Sequence, residues 1–282
     1  MIRRIGCRAH DYGRASIEEL TSKMSGDGYK TTQLALKKAL TNELHLGPKA
    51  EMKSISHIKE IMTMANMDIG VLGAYLNYAH PDSRIRQTNI EQLKQHLQIA
   101  TSIGARMVGT ETGSLNPDYK VHKDNHGPEA YLRFKEAIEE VMPIAGQMNT
   151  YMAVEAVAHH IIHGPSSMIQ LIKGINNPRL KVIFDINNMM TYENVHKQEM
   201  MIHQMFDALE DQIWAVHVKD FDFVDGEKVI VPLGQGLLQL DVLMARVKKS
   251  GEEIDVLAEN IQRERLTETA TILSAYSQSE VH

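Results

Sequence analysis

Four short apolar runs in the second half of the chain each end in a side chain that can move a proton or hold a cation. They are Val154-Glu155, Phe184-Asp185, Val216-His217 and Ala258-Glu259, separated by 30, 32 and 42 residues. Each interval is about the length of one strand–helix unit, so parallel strands would deliver all four groups to the same rim. Three carboxylates and one imidazole at one place repel one another unless something cationic sits among them. A divalent ion resolves that conflict. Three oxygens and one nitrogen, with positions left over for water or substrate, suit one Mn²⁺, Mg²⁺ or Co²⁺, and Zn²⁺ is also admissible. A lone acid at a wet strand end is commonplace; four consecutive units ending in ligand types are not.

The elements that must position these groups follow from an alternation along the whole chain. The clearest strand candidates are Ile69-Gly70-Val71-Leu72, Ala105-Arg106-Met107-Val108, Tyr151-Met152-Ala153-Val154, Lys181-Val182-Ile183-Phe184, Ile213-Trp214-Ala215-Val216 and Ile254-Asp255-Val256-Leu257-Ala258. Weaker ones lie at 3–7 and 31–35. Segments with helical spacing fill the intervals at 16–24, 50–65, 85–103, 129–147, 166–175, 198–209, 238–249 and 265–276. Ser16, Ser166-Ser167 and Pro81-Asp82-Ser83 read as helix starts, and Gly104 as a stop. Eight such units of about 35 residues predict an α/β fold, a (β/α)₈ barrel, as one domain over 1–282. A doubly wound open sheet is the alternative, but no glycine-rich phosphate fingerprint follows the first strand.

Composition narrows the function classes. With 43% apolar and 23% charged residues the chain reads as an ordinary globular protein. A net charge of −6 gives it no general attraction to nucleic acid or to an anionic membrane. The single cysteine, Cys7, excludes an internal disulfide and a multi-thiolate zinc site. No apolar stretch approaches the roughly 18 residues of a membrane span, and no apolar region of a signal peptide follows the charged start. The expectation is a soluble cytoplasmic protein.

Several motifs carry a family resemblance. Val154-Glu155-Ala156-Val157, Phe184-Asp185-Ile186-Asn187-Asn188, Val216-His217-Val218-Lys219-Asp220, Pro232-Leu233-Gly234-Gln235-Gly236 with Leu240-Asp241, Ala258-Glu259-Asn260 and Asn77-Tyr78-Ala79-His80-Pro81 all fall at or just after the candidate strands. In these the chain resembles the xylose-isomerase-like TIM barrel superfamily, in its branch of sugar phosphate isomerases/epimerases and ketose 3-epimerases. The resemblance implies that Glu155, Asp185, His217 and Glu259 bind one divalent metal, Mn²⁺ being the first choice. It further implies that Glu155 and Glu259 are the catalytic proton-transfer pair acting on a small keto sugar. The chemistry is coherent: a proton next to a carbonyl leaves through an enediolate, one carboxylate removing it and a second returning it. Related barrels pair through their helical faces, which implies a homodimer or homotetramer.

The sequence also departs from that pattern. Many ketose 3-epimerases carry histidine three residues after the sixth-strand aspartate, where Asn188 stands here. They also have a different loop in place of Lys219-Asp220. The HxKD form occurs in dehydratases of inositol-derived ketones, so a metal-dependent lyase on the same site is the alternative. An apurinic-site endonuclease fits poorly, lacking the further histidines of a three-metal cluster.

Asn188, Lys219, Asp220 and His160 are the candidate substrate contacts. Lys219 could equally pair with Asp220. His159 and His163 could line the mouth or sit in a solvated loop; His10 and Tyr12 could touch substrate or close the floor. Glu111 ends the fourth strand and could extend the acidic ring. Gly234-Gln235-Gly236 lies where barrels hold phosphate, although an empty tight turn is the better reading. Arg263 and Arg265 could meet an anionic substrate or open a solvated helix. Trp214 reads as packing between barrel and helices.

Overall fold

The computed structural model describes residues 2–41 and 52–278. The strands are β1 (Ile2–Arg8), β2 (Thr31–Leu34), β3 (Asp68–Gly73), β4 (Ala105–Thr110), β5 (Met152–Glu155), β6 (Leu180–Phe184), β7 (Ile213–Val218), β8 (Asp220–Val224), β9 (Glu227–Val231) and β10 (Ile254–Ala258). Eight of them close into a barrel in the order β1-β10-β7-β6-β5-β4-β3-β2, and every ladder in it is parallel. The remaining pair, β8 and β9, is a separate antiparallel hairpin. The fold is the expected (β/α)₈ barrel.

The helices are α1 (Ile17–Gly26), α2 (Leu36–Ala39), α3 (Met52–Met64), α4 (Ser83–Ile103), α5 (Pro128–Gln147), α6 (Pro165–Ile175), α7 (Ile186–Met189), α8 (Gln198–Leu209), α9 (Leu240–Lys249) and α10 (Leu266–Gln278). The helix expected over 50–65 is described from Met52; its first two positions lie outside the described residues. Their ends follow local chemistry. Ser16 accepts from the Glu19 amide at 3.2 Å, and Asp82 accepts from the amides of Arg84 and Ile85. Gly104 ends α4 at φ 80°, a conformation that costs a side-chain-bearing residue about 1 kcal/mol. At α6 the capping serine works from inside: Ser167 Oγ accepts from the amides of His163 and Gly164. Among the described residues no helix is long and apolar enough to cross a membrane.

Two apolar layers hold the barrel. The outer one packs strands against helices, with Phe134, Phe184, Phe206 and Leu20 fully buried. The inner one fills the barrel with Val71, Met107, Ala153, Ile183, Ala215 and Leu257. Trp214 belongs against that inner layer, near the N-terminal end of β7, and not between barrel and helices as the sequence suggested. There its ring lies tilted against Tyr151, the centroids 4.3 Å apart, under the cations of Arg106 and Lys181.

The hairpin explains the long interval of 42 residues between His217 and Glu259, since it is inserted between β7 and α9. Its turn places Asp225 at φ 52° and Gly226 at φ 83°, the two positive values of a type I′ turn. Asp220, at its base, is buried with both oxygens occupied. Oδ1 accepts from the amides of Phe221 (2.8 Å) and Leu238 (2.9 Å), and Oδ2 from those of Gly234 (2.8 Å) and Gly236 (3.0 Å). The glycine loop therefore cradles an internal carboxylate. This corrects the reading of Asp220 as a substrate contact: its acceptors are consumed in folding the 232–238 segment.

A Cβ on Gly236 would press into the Phe221 carbonyl and Asp220 Oδ1, two groups that cannot give way. Gly236→Ala is expected to cost about 1–3 kcal/mol of unfolding free energy, the usual penalty of overpacking. Chemical denaturation followed by circular dichroism measures it; an unchanged midpoint would contradict the cradle's importance.

Candidate metal centre

Glu155 closes β5, Asp185 follows β6, His217 lies near the end of β7 and Glu259 follows β10. These four strands are consecutive around the barrel. Each therefore sends its terminal side chain to the same C-terminal rim, and one ligand atom from each lies within 4.8 Å of all the others. His217 Nδ1 is the atom at the middle, 3.3 Å from Glu155 Oε1, 3.7 Å from Asp185 Oδ2 and 3.0 Å from Glu259 Oε2. Glu155, Asp185 and His217 are buried and Glu259 is the most open of the four.

The surroundings hold this geometry. Asn188 Nδ2 donates to Glu155 Oε1 at 2.5 Å, and its amide donates to Asp185 Oδ1 at 3.0 Å, making Asp185 the N-cap of α7. Lys219 Nζ stands 2.8 Å from Asp185 Oδ2 and 3.0 Å from Glu259 Oε2. Arg8 Nη1 donates to Glu259 Oε1 at 2.8 Å while its other nitrogens bind Asp11. Lys219 thus pairs with two of the candidate ligands and not with Asp220.

Charge is the controlling quantity. Burial pushes the Glu259 carboxyl up, but Lys219, His217 and Arg8 outweigh it and hold it well below the usual range. Burial raises Glu155, with Glu259 and Asp185 adding to the rise against His217. Burial opposes a charged His217, yet Glu155 and Glu259 lift its pKa well above the ordinary value. Burial likewise opposes a charged Lys219, and Asp185 and Glu259 outweigh it. The side chains demand positive charge at this point.

The donor set fits a divalent cation. Three carboxylates and one imidazole converge, and Asp185 Oδ2 is buried without an aligned hydrogen-bond donor despite the nearby ammonium. Oxygen-rich ligation with one nitrogen is what a borderline-hard divalent ion takes.

The other sequence candidates separate clearly. His160 is buried, its Nδ1 3.4 Å from Glu111 Oε2 without hydrogen-bond alignment, and its ring edge-on to Tyr119. Burial, helped by His159, lowers its pKa to about 3, so it stays neutral. His159 is exposed, and His163 stacks on His126 with centroids 3.8 Å apart. Tyr12 donates to Asp27 Oδ2 at 2.5 Å, which is structural. Arg263 and Arg265 are exposed, Arg265 pairing with Glu268 at 2.7 Å.

His10 and Glu111 instead line a cavity of about 390 Å³ that adjoins Glu259. Arg8, Gln33, Tyr75 and Tyr119 line it as well, and sequence reasoning singles out none of them. The available signal is the strand-end rule itself: Arg8 ends β1, Gln33 lies in β2, and Tyr75 follows β3.

Residues 24–274 match the family described as xylose isomerase-like TIM barrel. The chain belongs to this family. An L-ribulose-5-phosphate 3-epimerase of Salmonella paratyphi C is 25% identical over 170 residues, 60% of this chain and 55% of that protein. The match thus spans little more than half the length of that curated relative. A solved D-tagatose 3-epimerase-like protein superposes with a TM-score of 0.76 at 18% identity, covering 98% of this chain and 97% of its own. The IOLI protein, solved with a zinc atom, superposes with a TM-score of 0.72 at 15% identity, over 97% and 96%. Both likenesses are of fold.

Glu111 generates a pH prediction. Burial, then Glu155 and Glu259, raise its pKa to about 8 from an ordinary 4.5. Between those values the unfolded chain has lost a proton that the folded chain keeps, so stability falls as pH rises through the window. In chelator-treated protein, Glu111→Gln should gain stability relative to wild type from about pH 4.5 to about pH 8 and no further. Parallel stability profiles for the two proteins would contradict the assignment.

Proposed function

We propose that the protein is a divalent-metal-dependent isomerase or epimerase of a small keto sugar, working by proton transfer at the carbon beside the ketone. The observation that carries this reading is the order of the site. Glu155 and Glu259 are the outer members of the four-strand run β5-β6-β7-β10, with Asp185 and His217 between them. Two carboxylates at the two ends of that run suit a reaction that removes a proton from one face and returns it to the other. The proposed site residues are Glu155, Asp185, His217 and Glu259 as ligands, with Glu155 and Glu259 also the proton carriers.

A divalent ion, Mn²⁺ as first choice, would polarise the ketone and neutralise the charge that develops on the substrate oxygens. The zinc atom in the IOLI structure supports an ion in this fold, and the sugar epimerases among the relatives support the substrate class. Glu259, held ionised by Lys219 and Arg8, takes the proton from a substrate lying on its side of the mouth. Glu155 is steadied by Asn188 and supplies or accepts the proton on the other side. Because epimerisation runs both ways, each glutamate is base for one stereoisomer. Lys219, within reach of both Asp185 and Glu259, is the proposed contact to a substrate oxygen; Asn188 is a second proposed contact, through its side-chain carbonyl. The whole of 1–282 acts as one domain in this reading, soluble in the cytoplasm and paired through helical faces with a second copy.

The test is reaction with a panel of ketoses in D₂O with Mn²⁺ supplied. Wild type should place one solvent deuteron on the carbon beside the ketone without changing the carbon skeleton. Glu155→Gln and Glu259→Gln should each lower kcat by about 10²–10⁴-fold. A product lighter by one water would identify a lyase and overturn the proposal, as would exchange that survives both substitutions.

A further inference from the structure

The half of the barrel mouth formed by β1–β4 differs in character from the half that gathers the four ligands. Its cavity of about 390 Å³ lies within the range of small-ligand sites and meets the ligand cluster at Glu259. Among the described residues, eleven buried side-chain polar atoms lack a hydrogen-bond partner, and six of them belong to residues at this mouth. Asp185 and His217 are in the ligand cluster and His160 backs Glu111; His10 Nδ1 and Gln33 Oε1 belong to residues that line the cavity, as does Tyr119, whose Oη faces Glu111 without full alignment. Gln33 is the sharpest case. It is 2% exposed, its Nε2 donates to Tyr75 Oη at 2.8 Å, and its Oε1 has no partner. An unmet buried acceptor costs about 1–3 kcal/mol, so a cluster of them beside a reactive centre marks a place where a polar ligand completes the bonding.

The charges of the same cavity say which kind of ligand. Glu111 and Glu259 both line it. Arg8 is committed to Glu259, Asp11 and Asn260. Lys38 sits at the exposed rim, 5.9 Å above the Tyr75 ring, where water screens it. Lys228, on the far side of the mouth, spends its ammonium on the carbonyls of Asn187 and Met190. The Gly234 and Gly236 amides, the other natural seat for a phosphate, hold Asp220. A phosphate dianion in this cavity would thus meet Glu111 and Glu259, with Arg8 already committed and the exposed Lys38 as the one other cation lining it among the described residues.

The geometry points to this cavity as the subsite for the uncharged, hydroxyl-bearing end of the substrate, read by Gln33, His10, Tyr119 and Glu111. The ligand class is a free ketose rather than its terminal phosphate ester. The inference rests on the keto-sugar reading above and separates this chain from the phosphorylated substrate in the name of its curated relative.

The experiment is titration calorimetry of the Mn²⁺-loaded protein against free ketopentoses and ketohexoses and the same sugars carrying a terminal phosphate. At least one free ketose is expected to bind at least tenfold more tightly than its phosphate ester. Gln33→Leu and Glu111→Ala, checked for native circular dichroism and unchanged metal content, are each expected to weaken that binding at least tenfold. Phosphate esters binding as well as or better than the free sugars, no binding by any sugar, or folded variants with unaltered affinity would each overturn the inference. The comparison of ligands on wild type stands even if a variant fails to fold. Deuterium exchange with a phosphate ester alone would sink this inference while leaving the epimerase reading intact.

Discussion

Three carboxylates crowded around one imidazole at the end of four adjacent strands are the constraint to which the rest of the molecule answers. Two like charges about 4 Å apart near a protein surface repel by roughly 4 kcal/mol, and burial makes each charge harder to keep. The chain meets that demand with Lys219 between Asp185 and Glu259, Arg8 on the outer oxygen of Glu259, and Asn188 on Glu155. A divalent ion would complete the balance. Those neighbours also set orientation, because a side chain engaged on one oxygen presents the other to the common centre.

The mouth divides into two halves by chemistry. Strands β5, β6, β7 and β10 contribute acidic groups and an imidazole aimed at one point, whereas β1 to β4 contribute amide, phenol and imidazole groups, Glu111, and the Arg8 guanidinium that is already engaged with Glu259. A substrate spanning the two would have its reacting carbons over the ligand cluster and its hydroxyls over the β1–β4 half. The β8–β9 hairpin supports the ligand cluster from the side. Lys228 on β9 bonds to the carbonyls of Asn187 and Met190 at the end of α7, and α7 carries Asn188. Asp220 folds the following loop back onto the hairpin's base.

Much of this arrangement is legible in the amino-acid sequence. Alternation of apolar runs with helical segments is enough for a barrel, and ligand-type residues ending successive strands are visible because each follows an unbroken apolar run. The helix ends at Asp82 and Gly104 are legible for the same local reason. The hairpin is harder to see, although Asp225-Gly226 is a strong type I′ signal, because its strands are half-exposed and alternate weakly. Asp220 misleads because a single acid beside a histidine and a lysine looks like a site residue; only the fold reveals four amides converging on it. Arg8 and Gln33 escape sequence reasoning because their importance lies in contacts with residues more than 40 positions away.

The most direct measurement of the account is divalent-metal content per chain, on protein purified without chelator or metal-affinity resin and then incubated with Mn²⁺, with Asp185→Ala alongside. Asp185 supplies a buried oxygen that no aligned donor satisfies, so it reports on the ion more directly than the glutamates do. The account predicts about one tightly held ion per wild-type chain and its loss from the folded variant. A wild-type chain that retains no ion, or a variant that retains as much as wild type, would contradict it.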